Sequence, residues 1–293
     1  MITNSLRGTG VALVTPFRSN GSIDYPALKR IVEHSINGGN DFLVALGTTA
    51  ETPTLTAEEK KLVVDTILEV NQGRLPIVLG AGGNDTATVI RQLKELPQSG
   101  IDAILSVAPY YNKPNQTGLF HHFEAIANES PLPVIIYNVP GRTGSNIAAE
   151  TTLKLADQFP NIIATKEASG NFNQIMAILR ERPDGFLVLS GDDALTLPLM
   201  ALGVDGVISV IANILPKQMS RMVSLMNKQV LPEAQQLHFE MLPLIELIFQ
   251  EGSPAGIKAA LRCQGLSEQW VRLPLVPVSE QLESKIHIAL DKI

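Results

Sequence analysis

The sequence has a single cysteine, Cys263, so no disulfide can close within the chain, and a reducing compartment is expected. It also lacks any basic stripe or arginine-rich run. With a net charge of −6, nucleic acid is a poor candidate partner, and an anionic substrate has to be met by local cations. No segment approaches the roughly 18 apolar residues of a membrane span, and Met1 to Gly8 lacks the charged segment and long apolar stretch of a secretion signal. The expectation is a cytoplasmic protein without a membrane partner, and the glycosylation-type tripeptides at Asn84, Asn115 and Asn128 read as chance. The five histidines show no metal-ligand spacing. His121 and His122 are neighbours on one predicted helix, where they project in different directions and read as ordinary helix surface. Gly80-Ala81-Gly82-Gly83 lacks the third glycine of a dinucleotide fingerprint, because position 85 is Asp85, so a tight βα turn suffices. Asp192-Asp193 has no further acidic ligands beside it and reads as a loop or helix N-cap rather than a magnesium site. Neither a metal nor a cofactor is expected.

What is present is enough apolar material, 45% of 293 residues, to fill a large core. Short apolar runs alternate with longer amphipathic ones. The short runs are Val11–Val14, Phe42–Leu46, Ile77–Leu79, Ala103–Val107, Val134–Tyr137, Ile162–Ala164, Leu187–Leu189 and Val207–Val210. Thr56-Ala57-Glu58-Glu59 is a capping box opening one of the helices between them, and Asn71-Gln72-Gly73 is its stop. Eight such βα units predict a parallel (β/α)₈ barrel of the TIM type over residues 1–227, with a doubly wound open sheet as the alternative. Residues 228–293 carry helical patterns such as Met241–Phe249 without strand signals, and predict an all-helical C-terminal appendage. No low-complexity segment or long linker separates the two parts, so the appendage is expected to pack on the barrel.

In such a barrel, chemistry collects at the carboxyl ends of the strands. The predicted strand six runs into Lys166, a primary amine in the otherwise apolar setting Ile162-Ile163-Ala164-Thr165-Lys166. Burial disfavours the ammonium form and lowers its pKa, which would free the amine to attack a carbonyl. A lysine that snorkels to water or pairs with a carboxylate is the plainer reading. Period-two alternation places Ile162, Ala164 and Lys166 on one face and Thr165 and Glu167 on the other. The other strand ends offer Thr48 and Thr49, Tyr110 and Tyr111, Tyr137 with Arg142, and Asp192. Each has an ordinary explanation: threonines cap and end strands, tyrosines fill a barrel rim, and an arginine after a Pro-Gly turn is commonly surface. An arginine over a pocket that already holds an amine is also suited to gripping a carboxylate by two parallel bonds.

Taken together, Gly47-Thr48-Thr49 with Glu51, Pro109-Tyr110-Tyr111-Asn112, Tyr137-Asn138-Val139-Pro140 with Arg142-Thr143-Gly144, Lys166-Glu167-Ala168 and Gly191-Asp192-Asp193 are a specific set. The chain resembles, essentially end to end, the pyruvate-dependent class I aldolases of the dihydrodipicolinate synthase and N-acetylneuraminate lyase superfamily, and most closely its dihydrodipicolinate synthase branch. The resemblance implies that Lys166 forms a Schiff base with pyruvate, and that the derived enamine attacks L-aspartate 4-semialdehyde on the way to lysine and diaminopimelate. It implies Tyr137 as general acid and base, with Thr48 and Tyr111 completing a hydroxyl relay. The tyrosine matching Tyr111 is lent across a dimer interface in that family. Thr49 and the backbone at Ile208 would hold the pyruvate carboxylate, and Arg142 the carboxylate of the semialdehyde. A homotetramer made of two tight dimers is the family's usual state.

Arg142 is absent from most relatives that cleave sialic acid or 2-keto-3-deoxy sugar acids, which keeps that aldolase chemistry as the alternative within the superfamily. A non-catalytic, regulatory barrel is the alternative of another class, and it would have little reason to keep Lys166, Tyr137, Thr48 and Tyr111 together. Two departures from the family pattern stand out. Ala50 replaces the usual glycine of the threonine loop, and would cost about 1 kcal/mol if that backbone required a positive φ. At the positions where feedback-inhibited members bind lysine through two histidines and a glutamate, this chain has Ala57, Lys60 and Thr88, so weak or absent lysine inhibition is expected.

Overall fold

The computed structural model describes residues 2–95 and 99–293. Among them, eight parallel strands close a barrel in chain order: β1 (Gly8–Ala12), β2 (Phe42–Ala45), β3 (Ile77–Gly80), β4 (Ala103–Val107), β5 (Val134–Asn138), β6 (Ile162–Glu167), β7 (Leu187–Ser190) and β8 (Gly206–Ser209). A helix follows each strand, and the helices Leu231–Gln250, Ala255–Cys263 and Glu280–Leu290 complete the chain. The expected (β/α)₈ barrel is therefore the observed fold. Burial explains why its strands read as continuous apolar runs, since a parallel strand is covered on both faces and β1, β2, β5, β7 and β8 are buried at every residue.

β1 begins three residues before the run Val11–Val14 and shares Val11 and Ala12 with it, because glycine hides the start of a strand from a hydrophobicity reading. Gly10 pairs in register with Phe42, and a Cβ at Gly10 would fall 2.1 Å and 2.2 Å from atoms of the Phe42 ring. The absent side chain is what lets that ring lie against the neighbouring strand.

Residues 76–208, with the N-terminal segment through Arg7, form one compact unit. Ile104, Val134, Ile136, Ile162 and Val188 face its helices, where they pack with Leu119, Phe123, Ile126, Leu155, Ile175 and Ile178. Each such side chain, fully buried, contributes about 1.5–3 kcal/mol relative to exposure. Ile162 belongs to this outer layer, in contrast to the face predicted for it. A register shift between Val134 and Ile135 pairs them with Ile162 and Ala164, so Ile163 is the extra residue and Ile162 turns away from Ala164 and Lys166. At the opposite end of these strands, buried Asp205 accepts from the Val188 N–H at 2.9 Å and pairs with both Arg7 and Arg182.

His122 is buried in this unit rather than on a helix surface, a correction to the sequence reading. Its neighbour His121 takes the exposed direction and pairs with Glu124. The Nδ1 of His122 lies 2.9 Å from the Thr86 hydroxyl, and burial pushes its pKa down to about 4. With the folded value below the unfolded one of about 6.5, stability is fully present above pH 6.5 and is lost as pH falls toward 4. That linkage amounts to roughly 2 kcal/mol by about pH 5. His122→Gln is expected to remove this share of the acid destabilisation. Urea midpoints at pH 7 and pH 5 that fall by the same amount in wild type and variant would contradict it.

Residues 8–75 and 209–293 form the second unit. The Thr56 side chain accepts from the Glu59 N–H at 3.2 Å, and the Glu59 carboxylate accepts from the Thr56 N–H at 3.0 Å, the reciprocal capping box that opens the helix Ala57–Asn71. Gln72, in the left-handed conformation with φ 48°, ends it. The Met241–Phe249 pattern lies inside the helix Leu231–Gln250, which tolerates an internal Pro243. No described helix is long and apolar enough to cross a membrane.

Candidate active site

In the unit built on residues 76–208, Lys166 and Tyr137 are register partners at the carboxyl ends of β6 and β5. They are 5% and 6% exposed, and the Lys166 amine nitrogen stands 4.3 Å from the centroid of the Tyr137 ring. The amine makes no hydrogen bond or ion pair among the described residues. A buried amine whose only recorded partner is a ring face gains far less than one paired with a carboxylate. The plainer readings, a snorkelling or salt-bridged lysine, do not describe this residue.

The next register pair, Asn138 and Glu167, faces the helices instead. Asn138 Nδ2 donates to both oxygens of the Glu167 carboxylate at 3.1 Å, Gln174 Nε2 donates at 3.1 Å, and the Ser169 N–H at 2.9 Å. Asn138 Oδ1 in turn accepts from the Ile147 N–H at 2.9 Å. This network satisfies a buried carboxylate with neutral donors and fixes the two strand ends relative to each other. It follows from alternation: the residues just after Tyr137 and Lys166 must point to the opposite face.

Gly191, just past β7, supplies space. Its N–H donates to the Glu167 carbonyl at 2.8 Å, and a Cβ there would lie 2.7 Å from Ala168 Cβ and 2.9 Å from Lys166 Cε. Ile208 is buried on β8. Arg142 sits on the short helix Pro140–Thr143, exposed, and its guanidinium has no acidic partner among the described residues. Tyr111 is 89% exposed with φ 71°, an unusual backbone for a bulky residue. Asp192 is a loop residue whose Oδ1 accepts from the Ala194 and Leu195 N–H groups, as an N-cap-like turn. Among the described residues, no group of three or more His, Cys, Asp or Glu could hold a metal ion.

In the second unit, Thr48 and Thr49 lie on a one-turn 3₁₀ helix, Thr48–Ala50, with Thr48 exposed and Thr49 buried. Leu46 at φ 52° and Glu51 at φ 53° bracket the turn in the left-handed region. Ala50 does not share that conformation, so the cost expected for alanine at this position does not arise. The Thr52 hydroxyl closes the turn by donating to the Leu46 and Gly47 carbonyls at 2.9 Å and 3.0 Å. Glu51 is buried against Lys258, a contact between residues 207 apart that no local pattern announces.

Residues 5–293 match the model of the dihydrodipicolinate synthetase family. The chain is 51% identical to the 4-hydroxy-tetrahydrodipicolinate synthase of Flavobacterium psychrophilum, over 96% of each chain. It is also 51% identical to the synthase of the same name from Parabacteroides distasonis, over 98% of this chain and 96% of that one. The crystal structure of dihydrodipicolinate synthase from Thermotoga maritima superposes with a TM-score of 0.95 at 37% identity, over 98% of both chains. With the match running the length of the barrel and of the C-terminal helices, the chain belongs to the dihydrodipicolinate synthetase family.

Proposed function

We propose that this chain is a 4-hydroxy-tetrahydrodipicolinate synthase that joins pyruvate to L-aspartate 4-semialdehyde through a Schiff base on Lys166. The observation that carries the reading is the buried Lys166 amine against the Tyr137 ring, with no hydrogen-bond or ion-pair partner among the described residues. Nζ attacks the C2 carbonyl of pyruvate, and the carbinolamine oxygen takes up a proton and leaves as water, giving a protonated imine. That cation draws electrons from the neighbouring methyl group, a methyl proton departs, and an enamine forms. Its terminal carbon attacks the aldehyde carbon of the semialdehyde, whose oxygen takes up a proton. The semialdehyde's own amine then adds to C2 and expels Lys166, closing the ring and freeing the enzyme. No cofactor or metal takes part in this scheme.

Each stage moves a proton, and Tyr137 is the acid and base for them, with Thr48 and Tyr111 relaying protons between site and solvent. Thr49 and the Ile208 backbone hold the pyruvate carboxylate. Arg142, whose guanidinium has no acidic partner among the described residues, takes the carboxylate of the semialdehyde. Tyr111 serves this relay from the neighbouring subunit of a tight dimer. Its ring is exposed on the single chain and held out on a strained backbone, an arrangement that gains its stability when a partner covers it. The assembly is a homotetramer of two such dimers, located in the cytoplasm, with residues 1–227 as the catalytic barrel and 228–293 as the helical domain. Incubation with pyruvate and borohydride, followed by peptide mapping, is expected to leave a reduced adduct on Lys166 alone. Efficient cleavage of N-acetylneuraminate or a 2-keto-3-deoxy sugar acid, with no turnover of the semialdehyde, would instead favour the aldolase alternative.

Feedback inhibition by lysine is weak or absent. Thr88, where lysine-sensitive members carry an acidic partner, donates its hydroxyl to Asp85 and accepts from Arg91 Nη2 at 2.6 Å, so it offers a cationic ligand no charge of its own. Ala57 and Lys60 supply a methyl group and a cation. Activity is expected to persist at millimolar lysine, and half-inhibition at submillimolar concentration would overturn this.

A further inference from the structure

The mechanism makes no use of a second buried lysine. Lys258, on the helix Ala255–Cys263, has a side chain that is 0% exposed, and its partner Glu51 is 1% exposed. Lys258 also donates to the Trp270 carbonyl at 2.9 Å and stands 4.1 Å from the centroid of the Phe17 ring. The second Glu51 oxygen accepts from the Arg272 N–H at 2.9 Å. The Arg272 guanidinium lies 4.5 Å from the same Phe17 ring and is bidentate to Glu59. Both oxygens of Glu51 are thus committed, one to a charge and one to a backbone donor, and its side chain has one direction available.

Stability alone does not explain this arrangement. Dehydrating two charges offsets most of their attraction, and two packed apolar residues commonly hold a fold as well. Burial pushes the Lys258 amine down to about 8, against the Glu51 carboxylate, which holds it up. What the pair does constrain is local. Glu51 is the residue that ends the Thr48–Ala50 turn, in a left-handed conformation that a side chain adopts only when its surroundings impose it. Leu46 marks the other end of the turn in the same conformation, held by Thr52. The turn bearing both threonines is therefore strained at its two ends and clamped at each, one clamp reaching from the C-terminal helices.

From this geometry we infer that Glu51 and Lys258 are positioning residues, whose buried ion pair fixes the Thr48–Thr49 turn in the conformation the reaction needs. The inference rests on the reading that Thr48 serves proton relay. It gives the C-terminal helical region a part in catalysis that no contact with substrate requires.

The test is a double-mutant cycle on the full-length protein, reading kcat and the KM for pyruvate. Glu51→Gln keeps an acceptor for the Arg272 N–H but removes the charge, and is expected to lower kcat about tenfold with the fold retained. Thr48→Val is expected to lower kcat by itself, and in that background Glu51→Gln is expected to cost at most about twofold more, because it acts through the hydroxyl already lost. Lys258→Met combined with Glu51→Leu is expected to recover the melting temperature without recovering kcat. An undiminished tenfold loss in the Thr48→Val background, or full turnover in the doubly apolar variant, would reduce the pair to a structural role and overturn the inference. Full activity of Thr48→Val would instead remove the reading beneath it.

Discussion

Lys166→Met is expected to abolish turnover, by a factor on the order of 10⁴–10⁶, and to leave the protein at least as stable as wild type. The two effects have one physical source. The amine is the only group at the end of β6 that can bond covalently to a keto acid, so its loss removes the mechanism rather than weakening one step of it. The same amine is buried with no hydrogen-bond or ion-pair partner among the described residues, which is the arrangement that stabilises a fold least. Methionine keeps the length of the chain and places a polarisable sulfur over the Tyr137 ring, a contact worth about 0.3–1.5 kcal/mol. Replacing an unpaired buried polar group by an apolar one of similar shape is expected to raise stability by about 1–3 kcal/mol. Assays with both substrates and thermal melts of the same preparation check this. Residual turnover above a hundredth of wild type would exclude the imine route, and a clear fall in melting temperature would show that the amine is satisfied by partners within the fold.

That trade of stability for reactivity bears on how much of the fold and of the site is legible in the sequence. All eight strands carry apolar runs, β1 only at Val11 and Ala12, because burial on both faces forces Val, Ile and Leu into them. Four of the runs stopped short at the carboxyl end: Asn138, Lys166 and Glu167, and Ser190 are strand residues that a hydrophobicity reading drops, and Gly80 behaves likewise. These ends are where a barrel keeps its polar chemistry, so the reading is weakest nearest the site. Lys166 and Tyr137 were legible as residue types at two strand ends, and the register pairing that joins them follows once the strands are adjacent. The reversal of Ile162 was not legible, since a bulge at Ile163 leaves no mark in a run of isoleucines. Nor was the difference between His121 and His122, identical residues separated by about 100° of helix rotation. The Glu51–Lys258 pair lay beyond reach for another reason: each residue reads alone as a solvated charge, and only the closed tertiary structure brings them together.

Gly191→Ala is expected to lower kcat/KM for pyruvate by about a hundredfold while the protein still folds, and Ala168→Gly is expected to restore part of the loss. Glycine is not needed here for its backbone freedom, because Gly191 is not among the positive-φ residues. It is needed for room. The new Cβ would stand 2.7 Å from Ala168 Cβ, 2.9 Å from Lys166 Cε and 3.2 Å from Lys166 Cγ, all inside ordinary contact distance. Of these, Lys166 can yield by changing rotamer, whereas Ala168 is fixed to a backbone whose N–H donates to the Asn138 carbonyl at 2.9 Å. The bond from the Gly191 N–H to the Glu167 carbonyl at 2.8 Å prevents the 191 backbone from simply backing away. The Lys166 contacts are therefore relieved by moving the side chain that carries the amine, and a displacement of about 1 Å at a reacting group is enough to lose about a hundredfold in rate. Overpacking of this kind costs about 1–3 kcal/mol of stability, which a protein of this size tolerates. Removing the Ala168 methyl group takes away the one contact that cannot adjust, so the double variant regains both imine formation and stability in part. The rate of borohydride trapping with pyruvate separates this from a general loosening of the barrel, since it reads Nζ placement directly. Trapping at the wild-type rate in Gly191→Ala would mean that the amine reaches its working position by a path the methyl group does not obstruct, and the assigned role of Gly191 would fall.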